Sequence, residues 1–85
     1  MSPEQLRTRL ETLKSGTVAT ITDLTGTEDH YAAVIVSPIF EGKSMIEQHR
    51  IVMEFLKAEI DSGEVHALTM KTYTPEQYGR IHGNK

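Results

Sequence analysis

Two apolar segments separated by a long, helix-bearing connection constrain this chain more than anything else in it. The first segment, Tyr31 to Val36, is largely apolar in both of its alternating sets, Tyr31, Ala33, Ile35 and Ala32, Val34, Val36. A strand apolar on both faces is expected to be covered on both. The connection from Ser37 to Glu64 is far longer than a hairpin needs and carries a helix, as a crossover between parallel strands requires. Such crossovers are right-handed in nearly all cases, so the second segment, Val65 to Tyr73, should lie parallel to the first in one sheet. Parallel neighbours start at the same sheet edge, roughly 5 Å apart when adjacent. His30 and His66 each open one of these strands, and the topology is expected to bring them together as half of a metal site.

Around that unit the remaining elements follow from local chemistry. Ser2-Pro3-Glu4-Gln5 is a helix start in which Ser2 caps, Pro3 fits the first turn and Gln5 reaches back to the cap. Leu6, Leu10 and Leu13 form a one-sided apolar stripe, and Gly16 is expected to end the helix. Thr17 to Leu24 is β-branched and weakly apolar, as an outer strand would be. The loop Thr25 to Asp29 then returns the chain as an antiparallel hairpin. After the central strand, Ser37-Pro38 stops the ladder because proline has no N–H to donate. Phe40 to Lys43 is a compact turn, and Ser44 with Glu47 repeats the capping device. The helix it opens is predicted to run to Ile60 or Asp61, with Met45, His49, Val52, Met53, Leu56 and Ile60 on its apolar side. Ser62-Gly63 closes it, and Thr74-Pro75-Glu76-Gln77 starts a short last helix. The fold class is therefore α+β, one small domain over residues 1–85 in the order α-β-β-α-β-α, with a three-stranded mixed sheet.

Composition removes whole classes of function. The 85 residues include no cysteine, which excludes a disulfide scaffold, a thiol nucleophile and a cluster held by the chain's own thiolates. A soft metal would need borrowed ligands. No apolar run approaches the roughly 18 residues of a membrane span, and the charged, helical N-terminal segment is unlike a signal peptide. The expected location is cytoplasmic, with no membrane partner. A net charge of −3 gives no electrostatic reason to approach a polyanion. The sequence holds no nucleophile elbow, phosphate loop or complete metal motif, so an enzyme is not expected.

Each histidine has a plain structural reading beside the functional one. His66 lies on an apolar, β-branched strand, where imidazole needs a partner, and is either a ligand or a satisfied structural histidine. His30 follows Glu28 and Asp29 and reads as a ligand or as a solvated loop residue. His49, in the middle of the apolar helix face, reads as a core histidine hydrogen-bonded to backbone. His82 is assigned no role, and Glu28 and Asp29 are read as solvated charges.

The stretch HYAAVIVSPIFEGKSMIEQHRIVMEFL followed by EVHALTMKTYTPEQY resembles the BolA family across most of the chain. The most specific segments are Phe40 to Ser44, the His49-Arg50 pair, and Val65-His66-Ala67-Leu68 leading to Thr74-Pro75-Glu76. One departure is Gln48, where the family usually carries arginine before the His-Arg pair, which removes a positive charge. The resemblance implies a KH-like fold and makes His66, in the His-Ala-Leu segment, an iron–sulfur ligand. It implies a second ligand from the loop between the first two strands; that loop has no cysteine, which leaves His30.

The same resemblance implies a monothiol glutaredoxin as partner, with glutathione entering through the complex. The cofactor is a two-iron two-sulfur cluster shared between the chains, none being expected in the isolated chain. Imidazole replaces thiolate on one iron in Rieske centres and raises the potential. It ligates only when neutral, so binding should weaken below about pH 6.5. Self-association into a homodimer is left open. The competing reading is a KH-like nucleic-acid-binding transcriptional regulator. Against it, Phe40 to Met45 holds one glycine where a KH loop needs GxxG, and Lys43 and Arg50 are the only cations nearby.

Overall fold

The computed structural model describes residues 1–26 and 30–83. Helix α1, Pro3–Glu11, forms behind the reciprocal cap of Ser2 and Gln5. Its stripe buries Leu6 and Leu10 completely. It ends earlier than Gly16, because the Thr12 hydroxyl donates to the Arg9 carbonyl at 2.6 Å and competes for the last turn. Gly16 instead makes the left-handed turn into the sheet, with φ of 90°.

Strands β1 (Val18–Asp23), β2 (His30–Val36) and β3 (Ala67–Tyr73) lie in the order β1-β2-β3. The first pair is antiparallel, from Val18 opposite Val36 to Asp23 opposite Tyr31. The second is parallel, from His30 opposite Ala67 to Val36 opposite Tyr73. The predicted α+β order and mixed sheet are therefore present, although β3 starts one residue after His66. Tyr31, Ala33 and Ile35 face the helices and form the core with Leu6, Leu10, Phe40, Val52, Leu56 and Val65. Tyr31 donates its hydroxyl to the Met1 carbonyl.

The other face of β2 departs from expectation. Ala32 and Val34 remain half-exposed, and only the end near Val36 is flanked, by Tyr78 of α4 (Pro75–Tyr78). There Ala32 and Val34 lie between Thr20 and Thr22 of β1 and Thr69 of β3, whose hydroxyls make this face partly polar.

The long crossover helix is broken. It forms α2, Met45–Phe55, and α3, Lys57–Ser62, with Leu56 at φ −97° and ψ 15° between them. The Phe55 carbonyl accepts from Arg9 Nη2 at 3.0 Å, and Arg9 Nε donates to Glu59 Oε2 at 2.7 Å. The guanidinium also lies 4.0 Å over the Phe55 ring. Met45 and Met53, predicted on the buried side, are 64% and 42% exposed, whereas Val52 and Leu56 are fully buried. No helix among the described residues is long and apolar enough to cross a membrane.

Arg9 holds the Glu59 carboxyl below its ordinary range by hydrogen bonding, against the opposing effect of burial. A lowered folded value means that this stabilisation is present above the ordinary value of 4.5 and is lost as pH falls through the lower one. Arg9→Ala should cost about 2 kcal/mol in urea unfolding near neutral pH. The stability gap between wild type and Glu59→Gln should narrow as the pH is lowered past that window.

Candidate functional site

The end of the sheet at which β2 and β3 begin carries two imidazoles. His30 is the first residue of β2, and its register partner is Ala67, so His66 stands one residue before β3. Their ring centroids are 5.0 Å apart, with the planes inclined at 51°. His66 is exposed and His30 half-exposed. Two imidazoles bound to one ion at about 2.0–2.1 Å through ring nitrogens would have centroids roughly 5 Å apart at a near-tetrahedral angle. The spacing thus fits two ligands of one ion.

Both approaches to the pair are tied down. The Leu24 N–H donates to the His30 carbonyl at 2.8 Å, and Asp23 Oδ1 accepts from the N–H groups of Thr25 and Gly26. On the other side, Gly63 caps α3 in the left-handed conformation, with φ of 86°. The Ser62 hydroxyl then accepts from the Glu64 N–H at 3.3 Å. The Val65 N–H donates to the Glu59 carbonyl at 3.1 Å, and the Val65 side chain is 1% exposed. A buried anchor directly before an exposed histidine fixes where the imidazole emerges.

The donor set is incomplete in itself. Among the described residues no three His, Cys, Asp or Glu side chains come together. Glu28 and Asp29 lie outside the described residues. His49 is not part of the pair. It is half-buried on α2, and its Nε2 is buried without the expected hydrogen-bond partner.

Gln48 was missed as a structural residue. It is 4% exposed, its Oε1 accepts from the Thr72 hydroxyl at 2.7 Å, and its Nε2 donates to the Lys43 carbonyl at 3.0 Å. It ties the turn before α2 to β3 instead of standing at the surface as a lost charge. Its spacing of four from Val52 places it on the buried side, which is the signal that could have revealed it.

Comparison with known proteins bears on the same residues. The sequence pattern of the family described as BolA-like protein matches residues 1–77. The chain belongs to the BolA family. A BolA-like protein of Dictyostelium discoideum is 47% identical over 60 residues, covering 71% of this chain and 53% of that protein. BolA-like protein 1 of Mus musculus is 38% identical over 78 residues, covering 92% of this chain and 52% of the mouse protein. The chain therefore spans about half the length of these two BolA relatives. The structure of a BolA protein homologue from Coxiella burnetii aligns with a TM-score of 0.80 at 31% identity, covering 94% of this chain and 99% of that one. The α+β architecture is thus the BolA fold, and His30 and His66 stand at one end of it.

Gly63 offers a test of how the site is held. No atom crowds a Cβ built there, so the positive φ alone opposes substitution. Gly63→Ala should cost about 1 to 2 kcal/mol in thermal or urea unfolding. It should also shift the NMR signals of the His66 ring more than those of His49.

Proposed function

We propose that this BolA-like chain is the partner of a monothiol glutaredoxin in iron–sulfur cluster trafficking or iron regulation. In this reading His66 and His30 help to ligate a two-iron two-sulfur cluster that the glutaredoxin cysteine and glutathione also hold. The observation that carries it is the imidazole pair, 5.0 Å apart, with His66 exposed and His30 half-exposed. A chain without cysteine cannot supply thiolate, so the soft ligands belong to the partner and to glutathione. A cluster held by His66 and His30 on one side and by thiolates on the other would have a higher potential than one held by thiolate alone.

The chain's own residues present the ligands. The Val65 anchor sets His66 outward, and the hydrogen bond from Leu24 fixes the backbone at His30. This is the role of a ligand donor and not of an enzyme. The nucleic-acid reading is less favoured, because Gln48 is turned into the protein and the Lys43 turn holds a single glycine.

The test is a titration of cluster-loaded monothiol glutaredoxin with this protein, followed by visible absorption and circular dichroism. Wild type should change the cluster spectrum, His66→Ala should abolish the change, and His30→Ala should give an altered spectrum if the loop histidine ligates. An unchanged spectrum with folded wild type would overturn shared ligation.

A further inference from the structure

We propose that the free edge of β3 is where the partner is held, by adding an extended, carboxylate-bearing segment as a fourth strand beside the histidine pair. This rests on the shared-ligation reading and names the contact that would bring the glutaredoxin to the site.

The backbone directions come from the ladder itself. The Ser37 N–H donates to the Tyr73 carbonyl at 3.0 Å, so Tyr73 turns its backbone groups toward β2. By the two-residue period, Lys71, Thr69 and Ala67 do the same. Leu68, Met70 and Thr72 turn theirs outward, where no strand follows β3. Among the described residues none of these outward groups has a hydrogen-bond partner. Thr72 is covered, but Leu68 and Met70 are half-exposed. Proteins usually blunt such an edge with a proline, a bulge, a very short strand or a lysine, and of these β3 carries Lys71 alone. Here β3 pairs without interruption over 7 residues and contains no proline.

The wall beside this edge is also unfinished. Met45, His49 and Met53 recur every four residues along α2, with both methionines exposed. Met45 and His49 join Met70, Lys71, Thr72 and Tyr73 around a cavity of about 310 Å³. The partnerless Nε2 belongs to that same His49. An adjoining cavity of about 320 Å³ adds Lys43 and Arg80. No carboxylate lines either one, although the whole chain carries a net charge of −3. Arg80 meets Glu76 only at 3.9 Å between exposed groups, which contributes little.

Those features select the occupant. Unpaired N–H and C=O groups at strand spacing match another extended backbone. The apolar wall takes its alternate side chains, and Lys43, Lys71 and Arg80 favour carboxylates on it. A nucleic acid would find methionines beside only two rings for stacking, Tyr73 and the half-buried His49, around this cavity. A second copy paired antiparallel about Met70 would set Lys71 opposite Thr69 and, since β3 is ALTMKTY, would bring no carboxylate to Lys71. Leu68 lies two residues after His66, so an added strand ends next to the imidazoles.

Quenched amide hydrogen exchange on the complex with cluster-loaded monothiol glutaredoxin tests this directly. The amides of Leu68 and Met70 should slow by about tenfold or more on complex formation, while those of Thr69 and Lys71 are protected throughout. Met70→Pro removes an N–H that points away from β2, so it should leave the ladder paired and abolish the complex. Lys71→Glu, checked for folding by thermal melting, should weaken the complex about tenfold and decides the matter if the proline variant does not fold. A complex with the changed cluster spectrum but unaltered Leu68 and Met70 exchange would overturn the docking mode and leave shared ligation standing. Absence of any complex would overturn both. Protection that rises with concentration in the free chain would assign the edge to a second copy. Protection by oligothymidylate but not by glutaredoxin would assign it to nucleic acid.

Discussion

The parallel pairing of β2 with β3 is the contact on which the rest of the structure depends. It forces the chain to cross over between Ser37 and Val65, and that crossover supplies α2 and α3 to one face of the sheet. It also fixes the histidine pair, because His30 opposite Ala67 leaves His66 at the lip of the sheet. A slip of one residue would turn every β3 side chain to the opposite face. Both ends of the pairing are pinned against that slip. At one end Ser37 bonds to Tyr73, and at the other Val65 is buried and bonded to the Glu59 carbonyl.

Glu59 is the residue through which distant packing reaches the site. Its carboxylate bonds Arg9 of α1, while its carbonyl receives the Val65 N–H. At Leu56 the backbone departs from helical geometry, and Arg9 donates to the Phe55 carbonyl there. The second carboxylate oxygen of Glu59 is buried without a partner, which opposes part of what the Arg9 bonds contribute. The arrangement thus trades some stability for a fixed approach to His66.

Much of this was legible in the sequence, and the omissions have physical causes. The caps at Ser2, Ser44 and Thr74 are local chemistry, readable from four residues each, and all three form as reciprocal boxes. The parallel pairing followed from connection length, and the meeting of His30 with His66 followed from it. The break at Leu56 was not readable, since no proline or glycine marks it and its partner Arg9 is 46 residues away from Phe55. Periodicity also misjudged exposure. It placed Met45 and Met53 with Val52 and Leu56, but the strand beneath them is the last in the sheet, so nothing extends far enough to cover both methionines. The half-open face of β2 has a related origin: apolar alternation on both faces reports what could be covered, and beyond the helices on one face only Tyr78 of α4 flanks the end of the other.

The features left incomplete share one region of the fold. Among the described residues the histidine pair has no third ligand beside it, β3 has no neighbour along its outer edge, and both methionines of α2 are exposed. Each is individually tolerable in a protein of this size. Their adjacency is harder to attribute to folding, because stability alone would favour closing the edge or burying the methionines. In the complex proposed above, all three open features would serve one contact, with backbone pairing along β3 orienting the partner at the end of the sheet where the two imidazoles stand.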